Sequence, residues 1–120
     1  MNYKIVEQIN KRYIEINQPF TCESDVIDVI SICISNNVDL LLLREEVFSE
    51  EFINLKTGLA GIVLQKFTNY NIKVSAIIED ENKIQGRFKE LINELNKSIT
   101  FRVFNNFKKA ENWILNSKKV

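Results

Sequence analysis

Histidine is absent from this 120-residue chain, which excludes histidine-based catalytic triads, imidazole metal ligation and pH switching through His. Glycine occurs three times and proline once, so collagen-like, low-complexity and long-linker architectures are excluded too. Two cysteines are too few for a disulfide framework. No apolar run approaches the ~18 residues that a membrane-spanning helix needs. The longest, 38–43, is the length of a strand. The first residues, MNYKIVEQINKRYIEI, mix charged and apolar side chains and lack the apolar core of a signal peptide. What remains is 45% hydrophobic and 27% charged, with sixteen basic and sixteen acidic side chains. That composition suits one domain over residues 1–120, expected in the cytoplasm with no membrane partner.

Charge is unevenly placed. Residues 1–82 carry seven basic and thirteen acidic groups, and residues 83–120 carry nine and three. The basic groups of the last third are spread along two helical stretches, with only the Lys108-Lys109 and Lys118-Lys119 pairs adjacent. A nucleic-acid surface needs a tighter cluster, so it is disfavoured.

The elements follow from hydrophobic period. Residues 3–9 alternate Tyr3, Ile5 and Ile9 against Lys4 and Gln8, which predicts a half-buried strand. Asn10-Lys11 suits a two-residue turn into a second strand at 12–16. Helical spacing of Val26, Ile27, Ile30, Cys33 and Ile34 predicts a helix over 25–36, capped by Ser24 and stopped at Asn36-Asn37. The almost unbroken apolar stretch 38–43 reads as a central strand covered on both faces. After a polar stretch at 44–54, a helix over 57–70 buries Leu59, Ile62, Val63, Phe67 and Tyr70. A strand at 73–78, a helix at 86–96, a strand at 99–104 and a terminal helix capped by Asn106 complete the order β-β-α-β-α-β-α-β-α. The expected fold is α/β, a mixed sheet of about five strands with the last three parallel.

The segment SEEFINLKTGLAGIVLQKFTNYNIKVSAII resembles a bacterial family known as domain of unknown function family 4180. Phe52, Leu55, Thr57, Gly58, Leu59, Ala60, Gly61, Leu64, Gln65, Lys66, Phe67, Asn69 and Tyr70 carry the match. That resemblance implies no activity. More distantly, the element order and the Thr-Gly-Leu opening of the second long helix resemble the sulfate-transporter and anti-sigma-factor-antagonist (STAS) domain. The resemblance implies a STAS-like fold, a partner protein, and Thr57 as a phosphoacceptor. The family's acidic residue two places before the acceptor is Leu55 here, and the intervening Ser is Lys56.

Read from the residues alone, Thr57 is a helix cap, and Gly58 and Gly61 allow close approach of the helix to the sheet or a neighbouring chain. The carboxylates Glu45, Glu46, Glu50, Glu51, Glu79, Asp80 and Glu81 follow the two central strands and discourage phosphate binding at that rim. Trp113 is expected to anchor the terminal helix. No catalytic residue, metal-ligand set or cofactor is assigned. The expected function is a non-catalytic regulatory or protein-interaction domain. Its partner surface comprises Glu46, Phe52, Thr57, Gly58, Leu59 and Gly61, and homodimerisation is open as well. The alternative is small-molecule or metal binding, with or without catalysis such as acid/base work by Glu46 with Glu79, on the acidic rim after 38–43 and 73–78.

Overall fold

Ile9 and Asn10 both adopt positive φ, 51° and 60°, the conformation that a two-residue primed hairpin turn demands. They join β1 (Lys4–Gln8) to β2 (Lys11–Ile16) in the computed structural model, which describes residues 1–116. The turn therefore sits one residue earlier than Asn10-Lys11. Ile9 is spent on it and stands 65% exposed. Lys118 and Lys119 lie outside the described residues.

From β2 the chain enters α1 (Glu23–Asn36), then β3 (Leu40–Leu43). A short helix α2 (Glu50–Ile53) and the longer α3 (Leu59–Asn69) lead to β4 (Lys73–Ile77). Then come α4 (Gly86–Leu95), β5 (Phe101–Phe104) and α5 (Phe107–Asn116). The five strands lie side by side in chain order. β1 and β2 are antiparallel, and β2, β3, β4 and β5 are parallel, one more parallel strand than expected because α1 is itself a crossover.

Strands laid down in sequence by crossovers of one hand place all their crossover helices on one face. Thus α1, α3 and α4 share a core with Ile14, Leu41, Leu43, Val74, Ala76 and Val103. The opposite face, with Tyr13, Leu42 and Ile77, is covered by α5 through Ala110, Ile114 and Leu115. Both faces of β3 and β4 are thereby buried, as their apolar runs require. The hydroxyl of Ser75, fully buried in β4, donates to the Ala110 carbonyl at 2.8 Å. Trp113 stacks by Phe104 (5.8 Å between ring centres) and lies against the Lys73 ammonium and the Arg102 guanidinium at 4.5 and 5.3 Å, anchoring the helix.

Several expected burials move. The α1 stripe is Val26, Val29, Ile30 and Cys33, while Ile27 and Ile34 fall on its flank and are exposed. Cys22, not Ser24, occupies the N-cap. Asp25 reaches back to accept the Thr21 and Cys22 amides at 2.8 and 3.3 Å, and these bonds, the Thr21 amide first, lower its pKa. Asn37 closes the helix in the left-handed region, φ 54°, and commits Val38 to the helix end by its bond to the Cys33 carbonyl. In α3, Ile62 and Tyr70 are exposed beside the buried Leu59, Ala60, Val63 and Phe67. Tyr3 and Ile5 are exposed because β1 is an edge strand whose strong packing is to β2 alone.

The Tyr13 hydroxyl donates to the Glu111 carboxylate at 2.6 Å and ties β2 to α5. Burial, then that bond and the charge of Glu111, push the phenol's pKa well above its usual value. A phenol held protonated in the fold contributes stability that is complete below about pH 10 and is lost as pH rises toward the folded value. Tyr13→Phe should cost about 1.5 kcal/mol near neutrality. Urea melts of both proteins should show the difference shrinking above about pH 10. The thiols give a second check. Cys33 is buried and its pKa is pushed up to about 11 by desolvation and then by Asp39, whereas Cys22 is exposed. A thiol reagent should therefore label Cys22 in the native protein and Cys33 only after denaturation.

Candidate functional site

The segment between β3 and α3 forms a collar at the carboxyl end of the parallel strands. A tight 3-10 turn at Glu45–Val47 is followed by α2, whose cap Ser49 accepts the Phe52 amide at 3.2 Å and donates to the Phe20 carbonyl. A second 3-10 turn, Leu55–Thr57, is capped by Asn54, which accepts from the Lys56 amide at 3.1 Å. The stretch 44–54, which carries no hydrophobic period, thus folds into short turns pinned by local side-chain bonds.

The hydrophobic period predicts a helix that begins at Thr57. It begins at Leu59 instead, because Gly58 adopts φ 79° and turns the chain between the 3-10 turn and α3. Thr57 still serves the helix end, since its Oγ1 accepts from the Leu59 amide at 3.2 Å. The same hydroxyl lies 2.6 Å from the Glu51 carbonyl and 3.0 Å from that of Asn54, to which it can donate. It therefore knots α2, the 3-10 turn and α3 together while remaining at the surface.

Of the residues expected at the partner surface, Glu46, Thr57, Gly58 and Gly61 are exposed. Phe52 and Leu59 are 2% and 5% exposed and support the collar from beneath. Phe52 stands edge-on to Phe48 (5.0 Å, 89°) and to Phe88 of α4 (6.2 Å, 90°). Such T-shaped pairs are favoured by the ring quadrupole and fix α2 against α4. Gly58 and Gly61 make no close approach: a Cβ built on either meets nothing within 4 Å. Gly58 is required by its backbone angle rather than by packing.

Where the collar meets the start of α4 there is a hollow of about 270 Å³. Ile53, Leu55 and Phe88 give it apolar walls, and Lys56 and Arg87 bring two cations to it. Arg87 and Phe88 were missed from sequence, because only the tertiary contact of α2 with α4 brings them to the collar.

The acidic rim is arranged differently from a converging carboxylate site. A cleft of about 210 Å³ is lined by Arg44, Glu45, Glu46, Ile77, Glu79 and Lys83. Glu45 accepts the Glu79 amide at 2.7 Å and pairs with Lys83 at 3.2 Å. Arg44 pairs with Glu15 at 3.3 Å and lies 4.5 Å from the centre of the Phe107 ring. Asp80 accepts the Asn82 amide and caps its own turn. Glu46 and Glu79 share the cleft, whereas Glu50, Glu51, Asp80 and Glu81 are not among its lining residues. Among the described residues no three carboxylates or thiols are grouped as metal ligands. No helix among them is long and apolar enough to cross a membrane.

Residues 8–114 match the model of a family described as Domain of unknown function (DUF4180). No curated protein and no solved structure matches the chain.

The two glycines of the collar should respond oppositely to the same substitution. Gly58→Ala forces a Cβ into the left-handed region and should cost about 1–2 kcal/mol. Gly61→Ala, with open space and no positive φ, should stabilise the helix by about 0.5 kcal/mol. Thermal or urea denaturation of the two variants measures the sign of each.

Proposed function

We propose that this chain, which belongs to the DUF4180 family, is a non-catalytic protein-interaction domain of the cytoplasm that docks a partner on the collar between β3 and α3. The observation that carries this reading is the hollow beside the collar, where apolar Ile53, Leu55 and Phe88 meet the cations Lys56 and Arg87. That pairing suits a partner segment with an acidic group next to an apolar side chain. The apolar part would gain by leaving water, and the charge would set orientation and encounter rate. The exposed Thr57 and Gly61 extend the same surface along the start of α3.

The STAS-like reading belongs to this proposal. Its support is the β3-α3-β4 crossover with Thr57, Gly58 and Leu59 at the opening of the helix. As a phosphoacceptor, Thr57 would regulate the collar through its hydroxyl bonds. A phosphate would remove the donor that Glu51 and Asn54 share and set a negative charge beside the first amides of α3.

The test is capture of a partner by the wild-type chain and by charge variants. Lys56→Glu combined with Arg87→Glu should abolish capture of a partner that the wild type retains. Lys109→Glu, on the helix that covers the other face of the sheet, should leave it unchanged. Equal capture by all three would overturn the collar as the docking surface. Thr57→Ala and Thr57→Glu test the switch: capture unchanged from the wild type in both would remove Thr57 from the account.

A further inference from the structure

The two edges of the sheet are finished in different ways. At β5 the amides of Phe101 and Val103 are taken by side chains: Ser98 Oγ accepts from Phe101 at 3.3 Å and Asn96 Oδ1 from Val103 at 2.8 Å. At β1 no such cover exists among the described residues. The hairpin register pairs Gln8 with Lys11, Val6 with Tyr13 and Lys4 with Glu15, flanking a two-residue turn. In such a hairpin those pairs exchange the main-chain bonds, and the residues between them point their N–H and C=O groups outward. The free edge is therefore formed by the backbones of Ile5 and Glu7 in β1 and of Tyr3, which leads into it. Tyr3 and Ile5 are 43% and 42% exposed.

We propose that the chain pairs with a second copy of itself along β1, antiparallel about a two-fold axis through Ile5, extending one sheet into the other. Face and register follow from parity. Residues opposite one another in an antiparallel ladder must share a face, and both must have outward main-chain groups. Centring the axis on Ile5 sets Ile5 against Ile5 and Tyr3 against Glu7 of the second copy, so every outward residue exchanges both of its bonds. Centring it one residue either way carries part of the edge beyond the strand: on Lys4 it sets Glu7 against Met1 and opposes Lys4 to Lys4, and on Val6 it sets Tyr3 against Ile9, which the turn has already bent away.

Charge admits a second copy only in this antiparallel sense. In parallel in-register pairing, Lys4 would meet Lys4 and Glu7 would meet Glu7, the like-charge opposition that guards edge strands. The antiparallel two-fold instead sets the Glu7 carboxylate across from the Tyr3 phenol and Lys4 across from Val6, so no like charges are opposed. The side chains brought together on that face, Tyr3 and Ile5, are both exposed in the single chain. The pairing is isologous, as closed dimers are.

Sedimentation equilibrium over a concentration series tests this with the wild type and Ile5→Pro. The amide that Pro removes points away from β2, so the hairpin ladder keeps its own bonds while the two-fold loses its central donors. The wild type is expected to reach twice the mass of one chain. Ile5→Pro should stay at the mass of one chain with an unchanged far-ultraviolet circular dichroism spectrum. Hydrogen exchange on the wild type gives an arm that needs no variant: the Tyr3, Ile5 and Glu7 amides should slow as the concentration rises. A wild type that remains a single chain, an Ile5→Pro that still dimerises, or edge amides whose exchange ignores concentration would each overturn the proposal.

Discussion

The fold rests on burying both faces of β3 and β4. Leu40–Leu43 and Lys73–Ile77 carry apolar side chains in both directions, and a strand of that kind is stable only between two covered faces. Yet the chain adds its strands in sequence, and crossovers of one hand deliver α1, α3 and α4 to the same side. One element, α5, must therefore close the other side. It is accordingly held by unlike bonds from several strands: Ser75 to Ala110, Tyr13 to Glu111, Lys11 to the Leu115 carbonyl, and Trp113 against Lys73 and Arg102. Few of these are large alone. Together they decide whether Leu42 and Ile77 stay dry.

The crowding of three helices on one side has a consequence at the far edge. Those helices pack over the parallel strands, and β1, added by a hairpin rather than by a crossover, is left with Tyr3 and Ile5 in water. At the other end of the sheet, β5 follows α4 closely, so the turn residues Asn96 and Ser98 are at hand to occupy its free amides. The difference between the edges thus comes from how each strand is connected.

Much of this was legible in the sequence because period is a local signal. The order of the strands and long helices, the α/β class, the buried strands at β3 and β4 and the core position of Cys33 follow from spacing alone, whereas the short α2 does not. Boundaries were less legible. Thr57 and Gly58 both look like the start of a helix, and only the φ of Gly58 places the start at Leu59. Ile27 and Ile34 share the helical spacing of Ile30, so period cannot separate the centre of an apolar stripe from its flank. Of the candidate site, the exposure of Glu46, Thr57, Gly58 and Gly61 was legible, but their grouping was not: Glu46 lines the acidic cleft, while Thr57 and Gly58 sit at the opening of α3. Phe52 and Leu59 show what sequence cannot say about the collar, since an apolar residue beside a polar one reads the same whether it faces the partner or the core. Arg87 and Phe88 join the collar through the Phe48-Phe52-Phe88 contacts, which bridge elements some 35 residues apart in the chain.

The same connectivity separates the two surfaces. The collar follows β3 and is fastened to α4, on the side of the sheet that leads to β5. The open edge is β1, two strands away from β3 in the other direction. A partner seated against Lys56 and Arg87 would leave the backbones of Tyr3, Ile5 and Glu7 free, and pairing along β1 would leave the hollow open. A two-fold dimer would then present two collars on one rigid extended sheet. A partner that is itself repeated or dimeric would find its second contact at a raised effective concentration, so modest affinity at each hollow would suffice for firm attachment.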